Sequence, residues 1–294
     1  LIVMQIREKA EGGLHEDELD KQVLSEVREL VPGAAVTNVA QRYSDFEQGR
    51  EVVEYNIQDV NGNLIAVVLA DRASGEINYL FNASTDPASA NVGIDIEEAK
   101  NKATGFLAEK GIGSEGLEIE RAELKRVGMT GPPDPDKQTP VYRYEIDFKT
   151  FINGIRLDSG LTCSIWINPD NGEIILYSIC PSLIDTNNIA IDNDKVLIGE
   201  EEAIGIAKKY CQENLLQDYL EQYGDPSLAA SITVENSDVG GAGYLHYMTD
   251  KSGSVKLYWH IVVSIKHTNE LFGETIGLDV DAESGTVEIT EGYE

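Results

Sequence analysis

The sequence is poor in basic residues. Only 23 lysines and arginines stand against 52 aspartates and glutamates, so the 294-residue chain carries a formal net charge of −29. A surface this negative repels phosphate backbones and anionic lipid head groups, which argues against binding to nucleic acid or to a membrane surface. The charge favours a solvated, self-repelling surface, with weak binding of divalent cations or of a basic protein as alternatives.

Long apolar runs are also missing. No stretch approaches the ~20 apolar residues that a membrane-spanning helix needs. The opening segment, LIVMQIREKAEGG, does not have the layout of a signal peptide. Because the chain does not begin with methionine, we expect an upstream segment, either a secretion signal or a membrane anchor. Attachment to a membrane is expected only through such an N-terminal anchor.

Cysteine is scarce, with three in the chain. The absence of a CxxC motif argues against a structural zinc site. Cys163 and Cys180 flank a turn at similar distances, which fits two adjacent strands and makes them a candidate disulfide. Placement on adjacent strands does not, however, establish the geometry that a disulfide needs. Cys211 shares a helical spacing with Ala203 and Ala207, which is typical of a core residue.

Motifs of catalysis are absent too: no HExxH, GxSxG, Walker or GxGxxG pattern occurs. We therefore expect no catalytic, cofactor-binding or metal-ligating residues. His260 and His267 lie seven positions apart on a predicted strand, so alternation places them on opposite faces. A hairpin centred on DKSG would put His246 opposite Lys256 or Leu257, and we expect this histidine to be partly exposed.

Carboxylates are abundant, but none forms a recognisable site. Glu145 and Asp147 lie two apart on one strand face, which we expect to be solvated. Glycosidase chemistry needs two carboxylates at a defined separation in a cleft, and nothing in the sequence indicates a cleft. The segments 134–137 and 192–195 resemble fragments of a calcium loop, but both lack the glycine and distal glutamate of an EF-hand. A hydrolase with an unrecognised carboxylate site is therefore the least favoured function.

Three similar turns are the most informative feature that is present. They are DRASGEINYL at 71–80, NPDNGEIILY at 168–177 and DAESGTVEIT at 281–290. The glycine at the same place in each, Gly75, Gly172 and Gly285, is explained by a positive φ at the end of a short loop. Each turn closes a block that begins with a helical period of 3.6 and continues with the period of 2 that is typical of strands.

This pattern predicts an α+β chain of three tandem units, each with one helix packed on an antiparallel β-meander. Polar segments at 84–93 and 184–195 separate a closing strand from the next helix. The predicted domains are accordingly 1–86, 87–190 and 191–294, of which the first is the most divergent.

The second and third blocks resemble the PepSY domain. The resemblance rests on the helix openings DIEEAKNKATGFL and IGEEEAIGIAKKY and on the closing segments INPDNGEIILY and VDAESGTVEI. The first block departs most, because its helix contains DELDKQVLSEV in place of an alanine-rich stripe. PepSY modules occur in propeptides of thermolysin-like peptidases and in spore-germination and cell-envelope proteins, and the resemblance implies a tandem arrangement with cystatin-like layering.

The resemblance also implies a function, although fold does not determine function. It implies a non-catalytic, extracytoplasmic module, secreted or anchored at the cell surface. Such a module would bind a protein partner, modulating or inhibiting a peptidase or holding a partner at the cell envelope. A structural spacer of the envelope is the alternative. We expect neither enzymatic activity nor a cofactor, and exposed sheet edges could accept a partner strand by β-augmentation.

Overall fold

The computed structural model describes thirteen segments of the chain: residues 16–31, 38–47, 50–59, 61–85, 88–112, 116–131, 135–158, 160–180, 195–216, 230–234, 242–249, 254–267 and 273–289. These segments contain three α-helices: α1 (Glu16–Leu30), α2 (Ile96–Glu109) and α3 (Glu200–Tyr210), the last of which continues into a π-helical turn, Cys211–Leu215. A short 3-10 turn spans Pro135–Lys137. None of the described helices is both long and apolar enough to cross a membrane.

Fourteen strands make up most of the described structure. They are β1 (Asn38–Glu47), β2 (Arg50–Gln58), β3 (Leu64–Asp71), β4 (Ile77–Asn82), β5 (Leu117–Thr130), β6 (Thr139–Ile152), β7 (Ile155–Leu157), β8 (Thr162–Ile167), β9 (Ile174–Cys180), β10 (Ala230–Val234), β11 (Gly243–Thr249), β12 (Val255–His267), β13 (Gly273–Asp281) and β14 (Val287–Ile289).

The chain divides into two compact units. Unit 1 comprises Leu1–Lys149 and Leu161–Pro181, and unit 2 comprises Thr150–Gly160 and Ser182–Glu294. The predicted domain boundaries, at 86/87 and 190/191, lie outside the described residues.

The helices form where the sequence predicts them. Asp95 caps α2, because its Oδ1 accepts a hydrogen bond of 2.8 Å from the backbone N–H of Glu98, and the acidic first turn complements the helix dipole. Each helix then buries one stripe against its own sheet. The buried residues are Leu19, Val23 and Val27 of α1, Ala99, Ala103, Phe106 and Leu107 of α2, and Ala203 and Ala207 of α3.

In unit 1 the strands of the first two sequence blocks form a single sheet. The order is β1-β2-β3-β4-β9-β8-β6, with β5 paired to β6. The junction is the antiparallel pair β4–β9, in which Leu80 lies opposite Tyr177. One hydrophobic cluster lies under this sheet and includes Val23 of α1, Ala103 of α2 and Ile146 of β6. The first two blocks therefore share one core.

In unit 2 the strand order is β7-β11-β12-β13-β14, with β10 paired to β12. The β7–β11 pair is parallel, with His246 opposite Arg156, and the other pairs are antiparallel. Helix α3 packs on one face of this sheet through a second cluster that includes Ala203, Ile261 and Val280.

The prediction of an α+β chain built from three helix-on-meander units is wrong. The described part of the chain is mostly β, with a mixed sheet and three helices, and the tandem-repeat description is not borne out. Alternation along a strand reveals which face is buried, but it does not reveal which edge the strand offers to a neighbour. Here β4 pairs with β9 and merges two blocks, while β7 of the second block joins the sheet of unit 2.

The likeness of the three turns is local. Gly75, Gly172 and Gly285 have φ of +74°, +76° and +73°, in the left-handed region that strains L side chains. In each turn the glycine N–H donates to the carbonyl of the residue four positions earlier, which is Asp71, Asn168 or Asp281. A Cβ on Gly75 or Gly172 would overlap the end of a flexible helix side chain, Gln22 or Lys102, and a Cβ on Gly285 would lie 3.0 Å from Ile198 Cδ1. The positive φ is therefore the feature that favours glycine in all three turns.

Candidate functional site

The most distinctive group of polar residues lies on one face of the unit 2 sheet. Strands β11, β12 and β13 place His246, His260 and Asp279 on the face opposite α3. His260 lies directly opposite Asp279 on one side and Tyr244 on the other. His246, two residues beyond Tyr244, points to the same face because side chains alternate along a strand. We call His246, His260, Asp279 and the nearby Asp158 the histidine–aspartate cluster.

The cluster is tightly connected. His246 Nε2 lies 3.0 Å from Asp279 Oδ1, and His260 Nδ1 lies 2.8 Å from the same oxygen. The other ring nitrogen of His246, Nδ1, contacts Asp158 Oδ2. His246 and Asp279 are each only 1% exposed. Both nitrogens of a buried imidazole therefore face carboxylates.

The electrostatics of the cluster favour charged groups. Burial lowers the pKa of His246, but hydrogen bonds and charge from Asp158 and Asp279 outweigh it, so the pKa lies above its ordinary value. Burial acts in the opposite direction on a carboxyl group and raises the pKa of Asp158. Hydrogen bonds and charge from His246 and Arg156 outweigh this effect and bring the pKa down to about 2. The two carboxylates beside its ring nitrogens thus favour the protonated form of His246.

Tyr244 and Arg156 flank the cluster. The Arg156 guanidinium carbon lies 4.3 Å from the centre of the Tyr244 ring, and its Nη2 contacts the tyrosine hydroxyl. Arg156 Nε also donates to Asp158 Oδ1. The Tyr244 ring lies 5.0 Å from the His260 ring, centre to centre. Burial raises the pKa of Tyr244 to about 12, so its hydroxyl remains protonated at neutral pH.

Sequence analysis missed this cluster because it placed the β11–β12 register incorrectly. The hairpin pairs His246 with Tyr258, not with Lys256 or Leu257, and the histidine is buried instead of partly exposed. A one-residue slip in register exchanges the two faces of a strand. The two aspartates of the cluster, Asp158 and Asp279, lie 88 and 33 positions from His246 along the chain. One signal was available in the sequence: Tyr258 and His260 lie two residues apart on one strand, which indicates that this strand has a polar face.

Three members of the cluster could hold a metal ion. His246, His260 and Asp279 each offer one ligand atom, and these atoms all lie within 4.8 Å of one another. The side chain of His267 and the whole of His15 lie outside the described part of the chain.

The carboxylate pair on β6 has a structural role. Glu145 was expected to be solvated, but it is 4% exposed and forms ion pairs with Lys125, at 2.9 Å, and with Arg143. Burial raises the pKa of Glu145, yet these two cations together hold it below its ordinary value. Asp147 is bound by Arg121, 2.7 Å away. Both carboxylates are thus held by cations. Of the calcium-like segments, residues 134 and 192–194 lie outside the described residues, whereas Pro135–Lys137 form the short 3-10 turn.

The cysteines are free thiols in this structure. On the β8–β9 pair, Cys163 lies opposite Ile179 and Cys180 lies opposite Thr162. The two cysteine side chains therefore point to opposite faces of the sheet, so the candidate disulfide is not formed. Burial raises the pKa of the Cys163 thiol to about 12, which makes it a poor nucleophile.

A cavity of about 450 Å³ in unit 1 is a second candidate site. Its lining includes Phe106 and Lys102 of α2 and Leu80 and Tyr177 of the sheet. The Tyr177 hydroxyl is buried and has no hydrogen-bond partner among the described residues. The cavity is large enough for a small ligand or a partner side chain.

The Tyr177 hydroxyl makes a testable contribution to stability. We expect Tyr177→Phe to raise the free energy of unfolding by about 1 kcal/mol, because it removes a buried, unsatisfied polar group. Tyr144→Phe should lower this free energy by about 1 kcal/mol, because the Tyr144 hydroxyl donates 2.8 Å to the carbonyl of Ile94. Urea denaturation of the two variants measures both changes. Equal losses in both would show that Tyr177 is hydrogen-bonded in solution.

A solved structure that resembles this chain is the Bacillus megaterium YpeB C-terminal domain. The TM-score is 0.45 at 15% sequence identity, and the match covers 95% of this chain and 99% of the YpeB domain. A likeness this distant assigns no role to any residue. No family model matches the chain, and no curated protein matches it.

Proposed function

We propose that this chain is a non-catalytic module outside the cytoplasm that binds a protein partner along strand β5. The observation that carries the proposal is an exposed apolar edge. In the described part of the chain, β5 pairs only with β6, so its other backbone edge is open. The apolar side chains at its C-terminal end, Leu124, Val127 and Met129, are 40%, 37% and 41% exposed.

The two halves of β5 differ in a way that fits binding. In the N-terminal half, Leu117, Ile119 and Ala122 pack against the core of unit 1 and hold the strand in place. The C-terminal half continues past this anchored part and presents its apolar side chains to solvent. Proteins usually protect such an edge, because an open strand with apolar side chains is a template for another strand. A partner strand would use the free backbone groups for affinity and the side chains for specificity.

Charge indicates the chemistry of the partner strand. The segment from Leu124 to Thr130 contains Lys125 and Arg126 and no acidic residue, although the whole chain carries −29. Among the described residues, Arg126 contacts the Met129 sulfur and has no carboxylate partner. An extended segment that carries both apolar and acidic side chains would complement this edge. We propose an extracellular peptidase or a cell-envelope protein as its source, in keeping with the PepSY-like resemblance.

The edge can be tested by placing negative charge on it. We expect the triple variant Leu124→Asp, Val127→Asp and Met129→Asp to weaken partner binding at least tenfold, or by about 1.4 kcal/mol. The aspartates remove apolar contacts and repel an acidic strand. The probes are extended peptides selected against the wild-type chain from a displayed library, together with a purified thermolysin-like peptidase. Calorimetry gives affinity, and residual peptidase activity reports inhibition.

The matched control is Val92→Asp, because Val92 also lies in unit 1 and is 49% exposed, but is not on β5. It should leave affinity unchanged. Hydrogen exchange adds a direct reading, since a bound strand should protect the β5 amides. If the triple variant binds as tightly as the wild type, or if no probe binds at all, the β5 proposal is refuted.

A further inference from the structure

We infer that His246, His260 and Asp279 form a binding site for a divalent transition-metal ion, with Zn²⁺ as the best fit. The site lies within unit 2 and does not depend on the proposed partner strand. Two imidazole nitrogens and one carboxylate oxygen are the ligand set that zinc takes from proteins, and three protein ligands leave a fourth position for water or another group.

The distances suit a tetrahedral ion. Ligand atoms around such a zinc lie about 3.3 Å apart, given metal–ligand bonds of about 2.0–2.1 Å. In the structure, the two imidazole nitrogens lie 3.0 Å and 2.8 Å from Asp279 Oδ1. All three ligand atoms lie within 4.8 Å of one another. Each imidazole nitrogen would therefore have to move a few tenths of an ångström away from Asp279 Oδ1 to reach this spacing.

Asp158 provides the support that metal-binding histidines usually have. It contacts His246 Nδ1, so this ring nitrogen donates to a carboxylate and Nε2 is turned towards Asp279. Such a carboxylate fixes the tautomer and orientation of the ligand imidazole. Arg156 in turn holds Asp158 and stacks on Tyr244. Asp158 is thus a positioning residue, and the orientation of His246 is set before any ion arrives.

The donor atoms distinguish between classes of metal. Calcium and magnesium favour sites built from oxygen ligands, whereas imidazole suits zinc, copper, iron and nickel. Because ligation needs unprotonated ligand atoms, metal binding to such a site generally releases protons to the solvent. The strongly negative chain would also raise the local concentration of a dication.

The test uses the full chain after treatment with EDTA and then dialysis. Titration with ZnCl₂ in a calorimeter should show one ion per chain with a Kd of about 1 μM or lower, and heats that vary with the buffer should report proton release. His260→Gln should weaken zinc binding at least a hundredfold. Asp158→Asn should weaken it by about ten- to a hundredfold, as outer-shell changes do. The matched control, His267→Gln, removes a histidine from the same strand and should leave affinity unchanged.

A spectroscopic measurement keeps the test independent of variant folding. Co²⁺ bound to the wild-type chain should give the intense visible absorption of a tetrahedral site, and Zn²⁺ should displace it. Circular dichroism checks each variant, and only folded variants are compared. A wild-type chain that binds no zinc, a Co²⁺ spectrum of an octahedral ion, or equal losses in His260→Gln and His267→Gln would each overturn the inference.

Discussion

Asp279→Leu should lower the free energy of unfolding of the metal-free protein by about 3 to 5 kcal/mol. Asp279 is buried, and its Oδ1 accepts from both His246 and His260. Leucine fills a similar volume but leaves His246 with one carboxylate partner in place of two, and removing one partner of a buried polar pair exposes the full desolvation penalty of the other. Urea denaturation in the presence of EDTA measures the loss.

A double-mutant cycle separates this effect from simple loss of packing. His246→Leu together with Asp279→Leu replaces both partners with apolar groups, so neither leaves the other unpaired, although Asp158 and His260 each still lose one contact. We therefore expect the double variant to be more stable than the sum of the two single changes predicts, by about 1 to 3 kcal/mol. If the two single losses of unfolding free energy simply add, His246 and Asp279 do not interact in solution. The histidine–aspartate cluster is then not formed as described.

Ile146→Ala should lower the free energy of unfolding by about 2 to 5 kcal/mol, because it leaves a cavity in a close-packed core. Ile146 lies on β6, is fully buried and faces Ile165 of β8. Leu64→Ala is the control, since Leu64 of β3 is 42% exposed and its truncation should change stability by less than about 0.5 kcal/mol.

The Ile146→Ala variant also tests whether unit 1 has one shared core or two separate cores. Because Ile146 and the α1 residue Val23 belong to one cluster, hydrogen exchange should quicken in β2 and β3 as well as in β8 and β9. The three independent units expected from the sequence would confine the change to the second block, which begins at residue 87. Unchanged exchange in β2 and β3 would contradict the shared core.

The local elements could be predicted from the sequence because their causes are local. The apolar stripe of Ala99, Ala103 and Phe106 and the cap at Asp95 are enough to indicate α2. The alternation in β6 separates Tyr144, Ile146 and Phe148 from Glu145 and Asp147 in the same way. The positive φ of Gly172 belongs to a turn of a few residues. In each case the residues that decide the conformation are within one or two turns of chain.

Burial of charge could not be predicted in this way. Glu145 was assigned to a solvated face from its place in the alternation, and alternation does separate it from Ile146. It is nevertheless buried, because Lys125 of β5 and Arg143 of β6 cover it. A sheet face that lies away from the main core is solvated only if long side chains from neighbouring strands leave it open.

The pairing of the strands could not be predicted either. This error accounts for both the wrong fold class and the missed histidine–aspartate cluster. Every strand has two edges of unpaired backbone groups, and many pairings satisfy them equally well by local criteria. Only the packed structure selects β9 as the neighbour of β4 and sets Tyr258 opposite His246.

The sequence alone determines the helices, the strands, the three turns and the strongly acidic surface, because each depends on residues close together in the chain. The tertiary structure alone decides that two blocks share a core, that Cys163 and Cys180 face opposite sides, and that Asp158 and Asp279 meet at His246. Those outcomes depend on register and edge pairing between distant segments, where a slip of one residue changes every contact.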